Sequence, residues 1–463
     1  MEPSLWAFGP LNLIMLGLVT VIGGVVLHFS RAYLAGDAQV GRYYRWMVLT
    51  LVAVAVTVTA NHLFLLLAGW VAISLALHRL LTHYPERRRA QLASHKKFLL
   101  ARVAELTLLT SFLLILSQQQ TPYISEIVAH YRALLSGEIN GTLSVAEQVA
   151  AVGIAVAALI KCAQLPVHGW LMQVVEAPTP VSALLHAGII NLGGFLLLVF
   201  APLIAMVPAA QWLILIVAGL TTLVSALVMT TRISQKVRLA WSTSAQMGLM
   251  LVECALGLYE LALLHLLSHS AYKAYAFLNS GHAVWEDVQH RLAPRTTPRK
   301  RDWATALPIA LLIVLGVVFA TQYHGPVSPW LLLTLALALL LAENGRQRGF
   351  SGIRSTVLVV LGLAVSYGTL KSLLGQWVAL PHTVSLYADL WVSALIIVLF
   401  LLSGLLRYRA HTPAMQKLSV WLFAGFYLDE WFSRLTLLIW PLETVPHDTP
   451  SISRPAHPVK EVV

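Results

Sequence analysis

Charge is what this sequence has least of. Only 11% of its 463 residues are Asp, Glu, Lys or Arg, against roughly a quarter in water-soluble domains. Cysteine is scarce as well. Cys162 and Cys254 are the only two, and both sit inside apolar runs, which leaves neither a disulfide framework nor a zinc finger. No cluster of metal-ligand residues stands along the chain. Basic residues outnumber acidic ones 31 to 20, yet they come in short clusters between apolar runs. That is the pattern of membrane topology rather than of a DNA-binding face, so nucleic acid is not an expected partner.

Apolar sequence is what the chain has in abundance. Hydrophobic residues make up 58% and mean hydropathy is +0.75. The apolar runs reach about 20 residues, enough to cross roughly 30 Å of hydrocarbon at 1.5 Å per residue. The fold class read from this is an all-α polytopic membrane protein with about 13 transmembrane helices. Crossings are expected near 8–29, 46–60, 63–81, 98–116, 145–175 (interrupted), 180–202, 211–231, 238–256, 261–281, 303–322, 329–341, 356–374 and 387–406. No basic stretch precedes the first run and no small-residue cleavage site follows it, so it is expected to be a retained helix.

Charge placement orders these crossings. With the N-terminus outside a bacterial inner membrane and the C-terminus in the cytoplasm, the inward segments collect most of the lysines and arginines. Among them are Arg87, Arg88, Arg89, Lys96, Lys97 and Arg102, and later Arg295, Arg299, Lys300, Arg301, Arg346, Arg348 and Arg354. The outward loops hold Arg132 and little else, as the positive-inside rule requires. The resulting divisions are N-terminal helices (1–117), an outward loop (118–144), a central core (145–285), a basic cytoplasmic loop (286–302), C-terminal helices (303–407) and a cytoplasmic segment with tail (408–463). Within the last, residues 421–440 are aromatic and apolar but carry Asp429, Glu430 and Arg434. They read as an interfacial amphipathic helix or a partner-docking surface. The tail after Pro441, rich in Pro, Ser and charge, reads as disordered.

Against this apolar background the intramembrane polar residues stand out, since a charge at the bilayer centre costs about 2.5–3.5 kcal/mol on insertion scales. Lys161 ends an apolar helix and is followed by Cys-Ala-Gln-Leu-Pro, where Pro166 breaks the helix. A broken helix at membrane depth is tolerated where it lines a cavity or is buried in protein. Lysine plus break is the arrangement of an ion site. His265, His269 and Lys273 are spaced i, i+4, i+8 and share one helical face. Imidazoles titrate near neutrality, so such a stripe can pass protons through intervening water. His186 adds another intramembrane imidazole, and Glu176, just before Pro178 and Pro180, is placed to pair with a lysine. The alternatives are structural. A lone histidine in a membrane helix is commonly a packing residue, Lys371 can snorkel to the outer interface, and Gly188, Gly193 and Gly194 fit close helix packing.

Two stretches carry a family resemblance. KCAQLPVHGWLMQVVEAPTPVSALLHAGIINLGGF resembles the antiporter-like subunits of complex I and of Mrp cation/proton antiporters. LAWSTSAQMGLMLVECALGLYELALLHLLSHSAYKAYAFLNSG resembles the next block of that family. The resemblance implies two inverted five-helix repeats, each with a broken helix, along a polar axis at mid-membrane depth. It implies that Lys161, His186, His265, His269, Lys273 and the basic residue Lys236 belong to an ion path. Two departures are visible. The family's Gly-Trp-Glu, whose glutamate pairs with the first lysine, is here Gly69-Trp70-Val71. The run ALPIALLIVLGVVFATQYHGP, which matches the family's second broken helix, lacks its lysine or glutamate.

Together with SLALHRLLTHYPERRRAQLASHKKFLLAR, these losses resemble the DabB family, membrane subunits of inorganic-carbon pumps. That resemblance implies a non-enzymatic subunit that conducts protons or Na+ and needs no cofactor of its own. It also implies a large soluble DabA-like partner whose zinc site hydrates CO2 to bicarbonate. A pumping subunit of a respiratory or Mrp complex and a passive membrane anchor stay open as alternatives.

Overall fold

The computed structural model describes residues 3–292, 297–321, 325–378, 380 and 385–442. Every element among them is helical, apart from two isolated antiparallel bridges, Trp6 with Ala60 and His62 with Tyr123. The first helices are α1 (Pro10–Tyr33), α2 (Val40–Thr59), α3 (Leu63–Leu81), α4 (Arg88–Gln119) and α5 (Ile124–Ser136). The central block runs through α6 (Val145–Lys161), α7 (Gly169–Gln173), α8 (Thr179–Ala187), α9 (Leu192–Val199) and α10 (Ala201–Ala205) to α11 (Pro208–Met229), α12 (Gln235–Ala255) and α13 (Tyr259–Leu278). After it come α14 (Ala283–Leu292), α15 (Lys300–Ala320), α16 (Ser328–Val378), α17 (Leu386–Tyr408), α18 (Pro413–Phe423) and α19 (Glu430–Ile439). Among the described residues seven spans are long and apolar enough to cross a bilayer. The all-α polytopic class is borne out.

Local chemistry sets the helix ends. Pro10, Pro208 and Pro413 stand in first turns, where the missing N–H costs nothing. Ser144 and Glu147 form a reciprocal capping box that starts α6. Gly137 closes α5 in the left-handed conformation at φ 77°.

Packing then divides the helices by role. Residues 179–198 are completely buried, so they form the centre around which the others stand. α1 and α17, by contrast, turn Leu13, Val21, Leu390 and Leu401 outward, as helices facing hydrocarbon do. Close approach at the centre depends on small residues. A Cβ on Gly193 would overlap Cys162 and Ala158, and one on Gly194 would overlap Met250, so these glycines serve packing as expected.

Several local expectations are corrected. The runs at 329–341 and 356–374 lie on one continuous helix, α16, of 51 residues. The intervening stretch has no proline to break the backbone pattern, and the helix continues through Gly345, Gly349 and Gly352. The run expected to match a broken helix contributes residues 306–320 to α15, which continues through Pro308. Residues 421–440 do not form one helix. α18 ends, the chain turns at Phe426 and Tyr427 with φ of 54° and 56°, and α19 follows. Lys96 and Lys97 are not loop residues, because α4 starts at Arg88 and carries both into the buried interior. Arg295 and the tail from 443 onward lie outside the described residues, as do the side chains of Arg346, Arg348, Arg354 and Lys371.

Candidate functional site

α6 stops at Lys161, and the chain runs irregularly to Gly169 through a positive φ of 51° at Ala163 and a cis Leu165–Pro166 peptide. Backbone groups freed by the break must be satisfied within the protein, and several are. Ala163 N–H donates to Ile160 O at 3.1 Å and Gln164 N–H to Leu159 O at 3.1 Å. Leu165 N–H reaches Thr221 Oγ1 on α11 at 3.0 Å, and Ser244 Oγ on α12 donates to Ala163 O at 3.0 Å. The sequence marked the break; α11 and α12 hold it in shape.

Lys161 stands at the end of this helix with its Nζ 4.4 Å from the centre of the Trp70 ring. Trp70 belongs to Gly69-Trp70-Val71, where the resemblance leads one to expect a glutamate, and its indole face meets the lysine there. The carboxylate that acts on it comes from another helix. Glu105 on α4 acts electrostatically on Lys161, makes no direct ion pair with it, and accepts from Arg102 at 2.7 Å. Lys97, also on α4, is buried and donates to Ser74 O at 2.8 Å and Ser74 Oγ at 3.2 Å. Sequence reading missed Lys97, Arg102 and Glu105 as site residues. The available signal was the spacing of Lys97, Arg102 and Glu105 as a run entering an apolar helix.

The second group is the row on α13. Lys273 is fully buried and donates to Ser242 Oγ at 2.8 Å and Leu239 O at 3.2 Å, both on α12. His265 lies 3.1 Å from the carboxylate of Glu253, also on α12. Between these two ties, His269 is 3% exposed and neither ring nitrogen has a hydrogen-bond partner. The His265 and His269 rings are 6.4 Å apart. His186, from α8, joins the group from the far side. Its Nδ1 is 3.1 Å from Thr243 Oγ1, its ring stacks on Phe277 at 4.3 Å, and it feels the charge of Lys273. The structure thus brings His186, His269 and Lys273, all buried, and half-buried His265 into one cluster, and adds Glu253, Ser242 and Thr243.

α8 links the two groups. Leu185 lines the cavity beside Lys161, while the next residue, His186, faces the α13 row. Glu176 and Lys236 stand elsewhere. Glu176 is partly exposed and pairs with Arg89 at 3.8 Å rather than with a lysine. The arginine-rich turn before α4 reaches it across the surface, and Arg87 donates to its backbone oxygen at 2.9 Å. Lys236 donates to Thr179 Oγ1 at 2.7 Å, and Thr179 in turn donates to Tyr33 at 3.3 Å.

The C-terminal helices close one end of the first group. Lys96 Nζ, with no exposed side-chain surface, lies 2.5 Å from Asp429 Oδ2. Gln173 after the break donates to the same oxygen at 3.2 Å. A Cβ on Gly169 would overlap this carboxylate, so glycine at the start of α7 is what lets Asp429 approach. Trp440 stacks on His95 with ring centres 3.9 Å apart. The 421–440 segment, expected at an interface, is therefore anchored to the broken helix on one face. Trp431 and Leu438 remain exposed on the other.

Comparison with known proteins agrees with this arrangement. The model of the "NADH:quinone oxidoreductase/Mrp antiporter, TM" family matches residues 60–322. The model of the "NADH-Ubiquinone oxidoreductase (complex I), chain 5 N-terminus" matches residues 6–44. A protein of Hydrogenovibrio crunogenus named "Probable inorganic carbon transporter subunit DabB" is 48% identical over 433 residues, which is 93% of this chain and 82% of that protein. Its namesake in Bacillus subtilis is 30% identical over 442 residues, 93% of this chain and 83% of that protein. Among solved structures, a chain of the Mrp complex from Dietzia sp. DQ12-45-1b superposes with a TM-score of 0.57 at 23% identity. That match covers 96% of this chain and 52% of the Mrp chain, so this chain spans about half of its length. At that identity the likeness speaks for the fold.

Proposed function

This chain belongs to the antiporter-like membrane-subunit family of NADH:quinone oxidoreductases and Mrp antiporters, within its DabB branch, and on that premise we propose that it is the cation-conducting subunit of an energy-coupled inorganic-carbon transporter. Protons, or Na+, descend their gradient through a path that includes Lys161, His186, His265, His269 and Lys273. A large soluble partner with a zinc site uses that energy to hydrate CO2 to bicarbonate in the cytoplasm. The chain itself carries no catalytic step. The N-terminus faces outward and the C-terminus the cytoplasm, where the partner docks.

The observation that carries this reading is the buried row on α13. Lys273 and His265 are tied at either end to α12, and His269 stands between them with both nitrogens unclaimed. An imidazole so placed can take a proton on one nitrogen and release one from the other. Such polar groups are expensive inside a membrane, which is the physical reason to assign them a transport role. At the other group, Lys161 faces Glu105 without direct contact, so a cation entering between them changes the charge that each feels.

Purification of the tagged chain from its native membranes, with mass spectrometry of co-purifying proteins and metal analysis, tests the proposal. One large soluble partner with stoichiometric zinc is the expected result. A set of small hydrophobic antiporter subunits or iron–sulfur proteins overturns it in favour of a respiratory or Mrp complex. Carbon uptake that ignores uncouplers favours a passive anchor instead.

A further inference from the structure

Beside the broken helix lies a cavity of about 30 Å³ lined in part by Trp70, Ser74, Lys97, Lys161, Trp170 and Leu185. That is room for a water-sized or slightly larger particle. Its polar groups are almost all donors. Lys161 Nζ has the Trp70 ring face but no hydrogen-bond acceptor among the described residues. Lys97 Nζ uses Ser74 for two bonds, and an ammonium carries three donors. Trp170 is 5% exposed, and its buried indole Nε1–H donates to nothing. Indole and ammonium groups have no acceptor to offer in return.

Charge is unbalanced in the same place. Lys97, Arg102 and Lys161 gather around one carboxylate, Glu105, which Arg102 already engages at 2.7 Å. Lys96 draws on a separate carboxylate, Asp429, so it does not compete for Glu105. Lys97 is buried and Lys161 and Arg102 are half-buried, and cations drawn out of water without matching counter-charge are costly. A water molecule here would stand among lining residues rich in donors, with Ser74, already engaged by Lys97 and Arg102, as the side-chain acceptor. An anion accepts from every side and cancels charge.

We propose that this cavity is a binding site for one small monovalent inorganic anion, held by Lys97, Lys161 and the indole N–H of Trp170. The site does not depend on the transport reading above, because anion binding can be measured without any carbon uptake. Chloride is the probe of choice, with bicarbonate and nitrate as competitors.

The test uses the full chain, with its co-purifying partner, in detergent and chloride-free buffer, titrated with radiolabelled chloride by equilibrium dialysis. One saturable chloride per chain is the expected result. Trp170→Phe keeps the ring but removes the donor and should weaken binding several-fold. Lys161→Met should weaken it by about tenfold or more, the loss expected for a charge-assisted hydrogen bond. If Lys161→Met fails to fold, Trp170→Phe still decides. Competition by bicarbonate would mark the site as one that senses the carbon substrate, and chloride preference would mark it as a structural counter-ion site; both support the proposal. It is overturned if no saturable chloride appears above the detergent control, leaving water as the occupant. Unchanged binding in both variants overturns it too, because the chloride then sits on the basic surface.

Discussion

The group around Lys161 and the row on α13 solve the same problem, cations in a membrane interior, by different means. The row uses helical periodicity. His265, His269 and Lys273 fall on one face because the helix repeats every 3.6 residues, and α12 supplies Glu253 and Ser242 opposite them. The Lys161 group uses a broken backbone and residues from distant helices: Trp70 from α3, Lys97, Arg102 and Glu105 from α4, and Asp429 closing one end. The difference teaches that a regular site is written locally, whereas a broken one is assembled by packing. It also predicts that the two groups fail differently when altered.

The largest effect should come from Lys161→Ala. It is expected to abolish uptake of radiolabelled bicarbonate in cells while the assembled subunit persists in membranes; uptake close to wild type would remove this group from the path. Lys273→Ala is expected to match it, and a wide gap between the two would show that only one group conducts. Next is Asp429→Asn, which leaves Lys96 buried without its counter-charge. Removing one partner of a buried pair costs on the order of 3 kcal/mol, so thermal unfolding in detergent should shift clearly downward. Glu105→Gln separates the groups more finely. It should lower uptake several-fold through the Lys161 group while leaving the α13 row paired, and an unchanged rate would mean that Glu105 serves only Arg102. The smallest effect is expected at Ser144→Ala, far from both groups, where loss of a helix cap costs about 1 kcal/mol of stability and uptake per assembled subunit should not change.

Much of the site was readable before any fold was known. The helix break followed from Pro166, the α13 face from a spacing of four, and His186 from an imidazole in an apolar run. What was not readable were the groups facing them. Glu105 sits 56 residues before Lys161 in sequence, and nothing local marks it as that lysine's counter-charge. Glu176 illustrates the reverse error. Its position after the break suggested a lysine partner, but the chain folds its end of the loop toward Arg89. Asp429 was read as an interruption in an interfacial helix, while packing makes it the cap over Lys96 and the broken helix.

The sequence by itself determined the solvent, the helices and the positions of the intramembrane charges, because hydropathy, periodicity and proline act within a turn or two of the chain. Tertiary structure alone decided which charges meet, where the freed backbone of the break finds donors and acceptors, and which end of the Lys161 group is closed. Those outcomes depend on helices far apart in sequence coming within hydrogen-bond distance, and no local pattern encodes that distance.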